Sequence, residues 1–134
     1  YTTELVSREK MEALRQHGVE AVMVPSATFH RSATTGGVQV DAAAVLDDLG
    51  KRGVTAVLVE GGGTLNFSLL AQQLVDEVVM FIAPKIIGGA NAPTPFDGIG
   101  FPRMADAVAL ANVRVEQVGE DVCLTGTPIY SRDG

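Results

Sequence analysis

The spacing of apolar and polar residues changes several times along the chain, and each change marks an element. Ser7-Arg8-Glu9-Lys10 forms an N-cap and first turn, predicting a helix to about His17 with Met11, Leu14 and Val6 turned inward and Gly18 as its stop. Val19 to Val24 predicts a short strand that ends at Pro25, and Ala27 to Gln39, polar and without a period, predicts a loop. Asp41 caps a second helix whose Val45, Leu46 and Leu49 share one side and which Gly53 closes. Val54 to Glu60 predicts a buried strand, because Ala56-Val57-Leu58-Val59 has no polar face. A glycine turn and a short helix from about Leu65 to Gln73 follow. Helices alternating with strands in this way predict a parallel sheet.

Beyond Val75-Asp76-Glu77 the pattern changes. Val78 to Ala83 predicts a strand ended by Pro84, and Lys85 to Arg103 is a glycine- and proline-rich stretch too long for a simple connection, which points to function. Val113-Arg114-Val115-Glu116-Gln117-Val118 alternates apolar with polar, as a strand buried on one face does. Its valines face either the chain's own core or a partner subunit. Gly119-Glu120-Asp121 is a turn, and Val122 to Tyr130 is the antiparallel partner. The expected fold class is α/β, with a mostly parallel sheet flanked by helices and closed by a C-terminal antiparallel hairpin.

At 134 residues and 46% hydrophobic content, the chain has the length of one domain and enough apolar residues for a core. No apolar run approaches the ~20 residues of a membrane span, and no basic segment precedes an apolar one as in a signal peptide. The single cysteine, Cys123, excludes an internal disulfide and a multi-cysteine zinc site, and with only His17 and His30 besides, no metal is expected. A net charge of −6 speaks against a nucleic-acid surface. The expectation is a soluble cytoplasmic chain with no membrane or nucleic-acid partner. Tyr1-Thr2-Thr3 reads as the end of a strand whose beginning is absent, so the chain is expected to be a fragment; trimming by one residue is the alternative.

The densest candidate chemistry lies at Glu60-Gly61-Gly62-Gly63-Thr64-Leu65-Asn66-Phe67-Ser68. A strand that ends in an acid, turns on glycines and opens a helix is suited to hold a phosphate. Glycines let backbone N–H groups approach the anion, and the helix start adds unpaired donors and a positive dipole end. Thr64, Asn66 and Ser68 are placed to donate to phosphate oxygens or to complete the N-cap. The stretch has neither G-x-G-x-x-G spacing nor a P-loop lysine, and glycines at strand ends also serve as plain turns. Glu60, at the carboxyl end of its strand, suits a ring presenting N–H donors such as an aminopyrimidine, or else a salt-bridged or capping role.

Val59-Glu60-Gly61-Gly62-Gly63-Thr64-Leu65-Asn66-Phe67-Ser68-Leu69-Leu70 resembles the reductase domain of the bifunctional riboflavin-biosynthesis deaminase/reductases. Leu74-Val75-Asp76-Glu77, Phe81-Ile82-Ala83-Pro84-Lys85-Ile86-Ile87-Gly88-Gly89, Ala92-Pro93-Thr94 and Gly98-Ile99-Gly100-Phe101 are similar to the same family. The resemblance implies a dihydrofolate-reductase-like fold and NADPH as cofactor. It implies reduction of the ribosyl group of 5-amino-6-(5-phosphoribosylamino)uracil, or of its 2,5-diaminopyrimidinone analogue, to the ribityl form. Carried over by position, Glu60 is the substrate contact, and Gly62, Gly63, Thr64, Leu65, Asn66, Phe67 and Ser68 hold NADP. No catalytic acid or base is assigned. A homodimer, and fusion to a zinc deaminase domain in the parent protein, are further implications.

The family also implies that an opening part of the reductase domain lies before Tyr1, so residues 1–134 are expected to be the C-terminal portion of one reductase domain and to hold part of a site. Two other functions stay open: a dihydrofolate or pterin reductase of the same fold, and a non-catalytic nucleotide-binding or oligomerisation module. Gly88-Gly89 marks either a close backbone approach or a plain turn. His30 and Arg31 suit a 2′-phosphate or a solvated loop; Asp97 and Arg103 suit a pocket edge or surface ion pairs; Cys123 reads as a small core residue.

Overall fold

The computed structural model describes residues 1–27, 39–89, 91–98 and 100–130. They fall into two compact units, Tyr1–Leu58 and Val59–Gly134. His30 and Arg31, most of the predicted Ala27–Gln39 loop, and Ile99 lie outside the described residues.

In the first unit, α1 (Arg8–Gln16) starts where predicted, with the Ser7 hydroxyl accepting from the Lys10 N–H, and Met11 is its buried residue. Helix α2 (Ala42–Lys51) is capped by Asp41, whose Oδ1 accepts from the N–H of Ala43 at 2.9 Å and of Ala44 at 3.3 Å. Between the helices, β1 (Ser26–Ala27) and β2 (Gln39–Val40) form a two-residue antiparallel ladder. The predicted strand Val19 to Val24 is reduced to a parallel bridge between Thr2 and Met23, closed by Thr2 N–H to Val22 C=O and Val24 N–H to Thr2 C=O, both at 2.9 Å. Val24 is the buried residue of that segment. Side chains brace the unit at its surface: the Tyr1 hydroxyl donates to Asp48 Oδ2 at 2.7 Å, and Arg52 joins Asp48 and Glu20 at 2.6 Å each.

In the second unit, α3 (Gly63–Ala71) leads to β3 (Val78–Ile82), and a single 3-10 turn over Met104–Asp106 precedes the hairpin of β4 (Ala109–Val118) and β5 (Asp121–Ile129). The sheet order is β3-β5-β4 and both pairings are antiparallel. An irregularity between Ala111 and Arg114 interrupts β4, where Asn112 takes φ +51°. Cys123, near the start of the central strand β5, is the most buried core residue among those described, at 4% exposure, as its position in the alternation predicts. Tyr130 anchors the end of β5: its hydroxyl donates to the Val75 C=O at 2.9 Å and accepts from the Val75 N–H at 3.3 Å. Burial raises the pKa of that phenol.

The α/β class and the closing hairpin are therefore found, but the parallel sheet is not. Among the described residues the only parallel pairing is the Thr2–Met23 bridge. The segment Val54 to Glu60 pairs with no strand, and Leu58 is 82% exposed. An apolar run becomes a buried strand only when neighbours cover both its edges and its faces, and none of the described residues does so here. The same holds for Val113 to Val118, which pairs in β4 but whose side chains are exposed along its whole length. Alternation predicts which positions share a face; it does not provide the layer that buries them.

Among the described residues, the helices α1, α2 and α3 end in the same hydrogen-bond pattern. Gly18 N–H bonds Arg15 C=O with Val19 N–H to Leu14; Gly53 N–H bonds Gly50 C=O with Val54 N–H to Leu49; Gln73 N–H bonds Leu70 C=O with Leu74 N–H to Leu69. This is the Schellman arrangement, which requires a left-handed residue just past the helix. Gly18 and Gly53 adopt φ +73° and +84° freely, whereas Gln73 is held at +60° with a side chain attached. Gln73→Gly is expected to stabilise the second unit by up to about 1 kcal/mol, measured as a higher denaturant midpoint with unchanged slope.

Acid sensitivity of the first unit follows from two carboxylates. The Tyr1 hydroxyl and then the Arg52 guanidinium lower the pKa of Asp48, and the Ser26 hydroxyl lowers that of Glu4, to which it donates at 2.7 Å. A carboxyl that titrates lower when folded contributes stability above its unfolded value of about 4, and this is lost as pH falls through the folded value. Melting temperature is expected to drop below about pH 4, with a shallower drop in Asp48→Asn; an equally steep acid limb in that variant would exclude Asp48 as a contributor.

Candidate functional site

Residues 59–62 carry no helix or strand, and α3 begins at Gly63 with Gly62 as N-cap in extended conformation. No side chain caps this helix start. The first backbone bond into the helix is Asn66 N–H to Gly62 C=O at 3.1 Å, which leaves the N–H groups before it without an intrahelical partner. Glu60 is exposed immediately before this turn, and Thr64 and Leu65 are exposed on the first turn itself.

The three glycines are constrained differently. A Cβ on Gly62 would meet nothing within 4 Å, so the turn is open to solvent there. A Cβ on Gly61 would meet the Cδ2 of Leu65 at 2.7 Å, the movable end of a side chain. A Cβ on Gly63 would lie 2.6 Å from the Thr94 carbonyl oxygen, 2.7 Å from Asp97 Cβ and 2.8 Å from Asp97 N. The first turn of α3 is thus pressed against the Thr94–Asp97 backbone, an approach that only glycine permits.

Further along α3 the side chains turn inward. Phe67 and Leu69 are buried, and Phe67 meets Phe101 edge-on with ring centroids 5.3 Å apart. Ser68 lies mid-helix, where its hydroxyl and carbonyl accept from Gln72 Nε2 at 3.1 and 3.0 Å. Asn66 donates from Nδ2 to Gly61 C=O at 3.3 Å and to Pro95 C=O at 3.0 Å. The structure therefore gathers Glu60, Gly62, Gly63, Thr64 and Leu65 at the open turn, while Asn66 and Phe67 lie on its supporting side and Ser68 is further along the helix, bonded to Gln72. Below them a cavity of about 430 Å³ is walled by Phe67 and Leu70, by Val78 and Met80 of β3, by Phe96 and Phe101, and by Leu110 of β4. Asp97 is the one charged residue in its lining.

The remaining candidates resolve plainly. Arg103 forms a two-pronged surface ion pair with Asp106, at 2.6 and 2.8 Å. Gly88 and Gly89 have φ +69° and +94°, which glycine adopts freely, and no described residue comes within 4 Å of a Cβ at either, so neither is pressed against another element. Among the described residues no cluster of His, Cys, Asp and Glu fits a metal ion, and no helix is long and apolar enough to cross a membrane. Asp97, expected at a pocket edge or in a surface ion pair, lines the cavity, whereas the part of Thr94 and Pro95 in seating α3 was not assigned from sequence. The proline-flanked run Pro93-Thr94-Pro95 is the local signal of a stiff loop there.

The chain that carries this turn, helix and sheet has relatives among known proteins. Residues 1–124 match the family model of the RibD C-terminal domain, and the chain belongs to that family. It is 44% identical over 89 residues to a 2,5-diamino-6-ribosylamino-4(3H)-pyrimidinone 5′-phosphate reductase of Methanothermobacter thermautotrophicus, covering 66% of this chain and 41% of that protein. It is 38% identical over 116 residues to a riboflavin biosynthesis protein RibD of Actinobacillus pleuropneumoniae, covering 87% of this chain and 28% of the relative. The chain thus spans less than half the length of either. Among solved structures, Acinetobacter baumannii RibD superposes with TM-score 0.67 at 24% identity, over 92% of this chain and 30% of that one. A pyrimidine reductase-like protein of Corynebacterium diphtheriae gives TM-score 0.67 at 19% identity, over 97% and 49%. The fold is that of the RibD and pyrimidine reductase structures.

The geometry at the two neighbouring glycines makes a direct test. Gly63→Ala must part α3 from the Thr94–Asp97 backbone and is expected to cost about 1–3 kcal/mol. Gly62→Ala, with open space, is expected to change stability by less than about 1 kcal/mol. Equal losses in the two variants, measured by denaturant unfolding, would refute the close contact at residue 63.

Proposed function

We propose that this chain is part of an NADPH-dependent reductase of riboflavin biosynthesis. It would reduce the ribosyl group of 5-amino-6-(5-phosphoribosylamino)uracil, or of the 2,5-diaminopyrimidinone analogue, to the ribityl form. Membership of the RibD C-terminal family and the reductase activity named for the Methanothermobacter relative support the reaction class. The single structural observation that carries the cofactor assignment is the uncapped, glycine-lined start of α3, with open space at Gly62.

The residues present fit a dinucleotide phosphate. The N–H groups of Gly63, Thr64 and Leu65 converge at the positive end of the α3 dipole, and the exposed Thr64 hydroxyl adds a further donor. Phe67, buried against Phe101, and Asn66, bonded to Pro95 C=O, fix the helix from behind and hold those donors in place. When bound, NADPH supplies a hydride, and C1′ of the ring-opened imine form of the sugar accepts it. Glu60, exposed beside the turn, accepts hydrogen bonds from the amino and ring N–H groups of the pyrimidine and so orients the sugar carbon. A protonated imine accepts hydride without a strong acid from the protein, so no side chain is assigned that role. The dihydrofolate-reductase-like arrangement, a homodimer and fusion to a zinc deaminase domain belong to the same proposal. The RibD relative, of which the chain covers 28%, supports the fusion.

Turnover tests the assignment. The full-length protein is expected to oxidise NADPH in the presence of the ribosylaminopyrimidine phosphate and not with dihydrofolate. Glu60→Gln is expected to raise KM for the pyrimidine roughly 10–100-fold, the range for losing a charge-assisted hydrogen bond, with little change in NADP affinity. Turnover of dihydrofolate alone, or an unchanged KM in the variant, would overturn the substrate assignment.

A further inference from the structure

We propose that Asn66 is a positioning residue that fixes the Thr94–Gly98 loop as the second rim of the dinucleotide site. The inference rests on the NADPH assignment above and adds to it a part for a loop remote in sequence. Asn66 is the fourth residue of α3, within the stretch carried over as cofactor-binding, yet its amide is spent elsewhere. Both Nδ2 protons go to main-chain carbonyls: Gly61 at 3.3 Å, on the glycine turn, and Pro95 at 3.0 Å, on the loop. A carbonyl can only accept, so both partners demand the N–H₂ end of the amide.

The loop is braced internally. The Thr94 hydroxyl donates to Phe96 C=O at 2.7 Å, and Asp97 Oδ1 accepts from the Gly98 N–H at 2.7 Å. Its contacts with α3 are the van der Waals seat on Gly63, a seat for Gly98 on Phe67 (a Cβ there would lie 3.6 Å from the ring), and the Asn66 bond. The first two resist compression but give no direction along the helix. The Asn66 amide is the directional tie, and because it holds Gly61 and Pro95 at once it sets the loop against the turn whose N–H groups face the phosphate. Loss of the tie lets the loop slide over the donors, and affinity falls without any contact to the dinucleotide being removed.

Two variants and two measurements test this in the full-length protein. Asn66→Ala removes both bonds. Asn66→Asp keeps the shape, turns a carboxylate toward two carbonyls at neutral pH, and regains one donor when protonated. We expect faster amide hydrogen exchange in residues 94–98 of ligand-free Asn66→Ala, and NADP affinity about tenfold weaker. In Asn66→Asp we expect both protection of that loop and NADP affinity to recover relative to Asn66→Ala as pH is lowered, a response that a packing defect does not produce. Weakened NADP binding with unchanged exchange at 94–98 would mean that Asn66 touches the dinucleotide itself, and would overturn the positioning role. Faster exchange with unchanged NADP affinity would overturn the loop as a rim of the site. Failure of the unaltered protein to bind NADP would overturn the cofactor assignment and this role with it. Binding by the unaltered protein, with both variants equal to it, would overturn this role alone.

Discussion

The site depends on residue 63 having no side chain. Two stretches of backbone, the first turn of α3 and the Thr94–Asp97 segment, meet so closely that a methyl group would fall 2.6 Å from a carbonyl oxygen. This contact joins the helix that presents free N–H groups to a loop reached only after β3 and a long irregular connection. Around it are arranged the Asn66 bonds, the Phe67–Phe101 pair and the apolar cavity beneath. Van der Waals contact here settles a question usually left to hydrogen bonds: which segments stand side by side.

Much of this was legible in the chain itself. Ser7 and Asp41 are found as caps, Gly18 and Gly53 as stops, and Cys123 in the core, because each of these depends on local chemistry that a few neighbouring residues determine. The start of α3 could be placed near the glycine turn for the same reason. Its end was harder to see, since Gln73 fills a left-handed position without being glycine. The strand expected at Val54 to Glu60 shows what local pattern lacks. Burial is a property of two layers, and a four-residue apolar run describes only one of them.

The candidate site was legible as a list of residues and not as an arrangement. The stretch from Glu60 to Ser68 was found from its sequence, but a linear motif gives every member the same apparent role. In the folded chain the members divide by helical geometry: residues of the first turn offer backbone donors to the outside, Asn66 and Phe67 attach the helix to what lies behind it, and Ser68 bonds only along the helix, to Gln72. The partners in that attachment, Pro95 and Phe101, are separated from α3 by the whole of β3, a distance across which no period or spacing carries information.

The position of β3 at the edge of its sheet bears on the order in which the chain folds. Among the described residues it pairs only with β5, so closing it requires a loop spanning the entire Ala83–Asp121 stretch, whereas β4 and β5 meet across the Gly119-Glu120 turn. Loop-closure entropy favours the hairpin first and the edge strand afterwards. During that interval Val78-Val79-Met80-Phe81-Ile82, a run with no charge and no proline, waits unpaired. The strand expected to pair last is therefore also one whose composition favours self-association while its edges stay open.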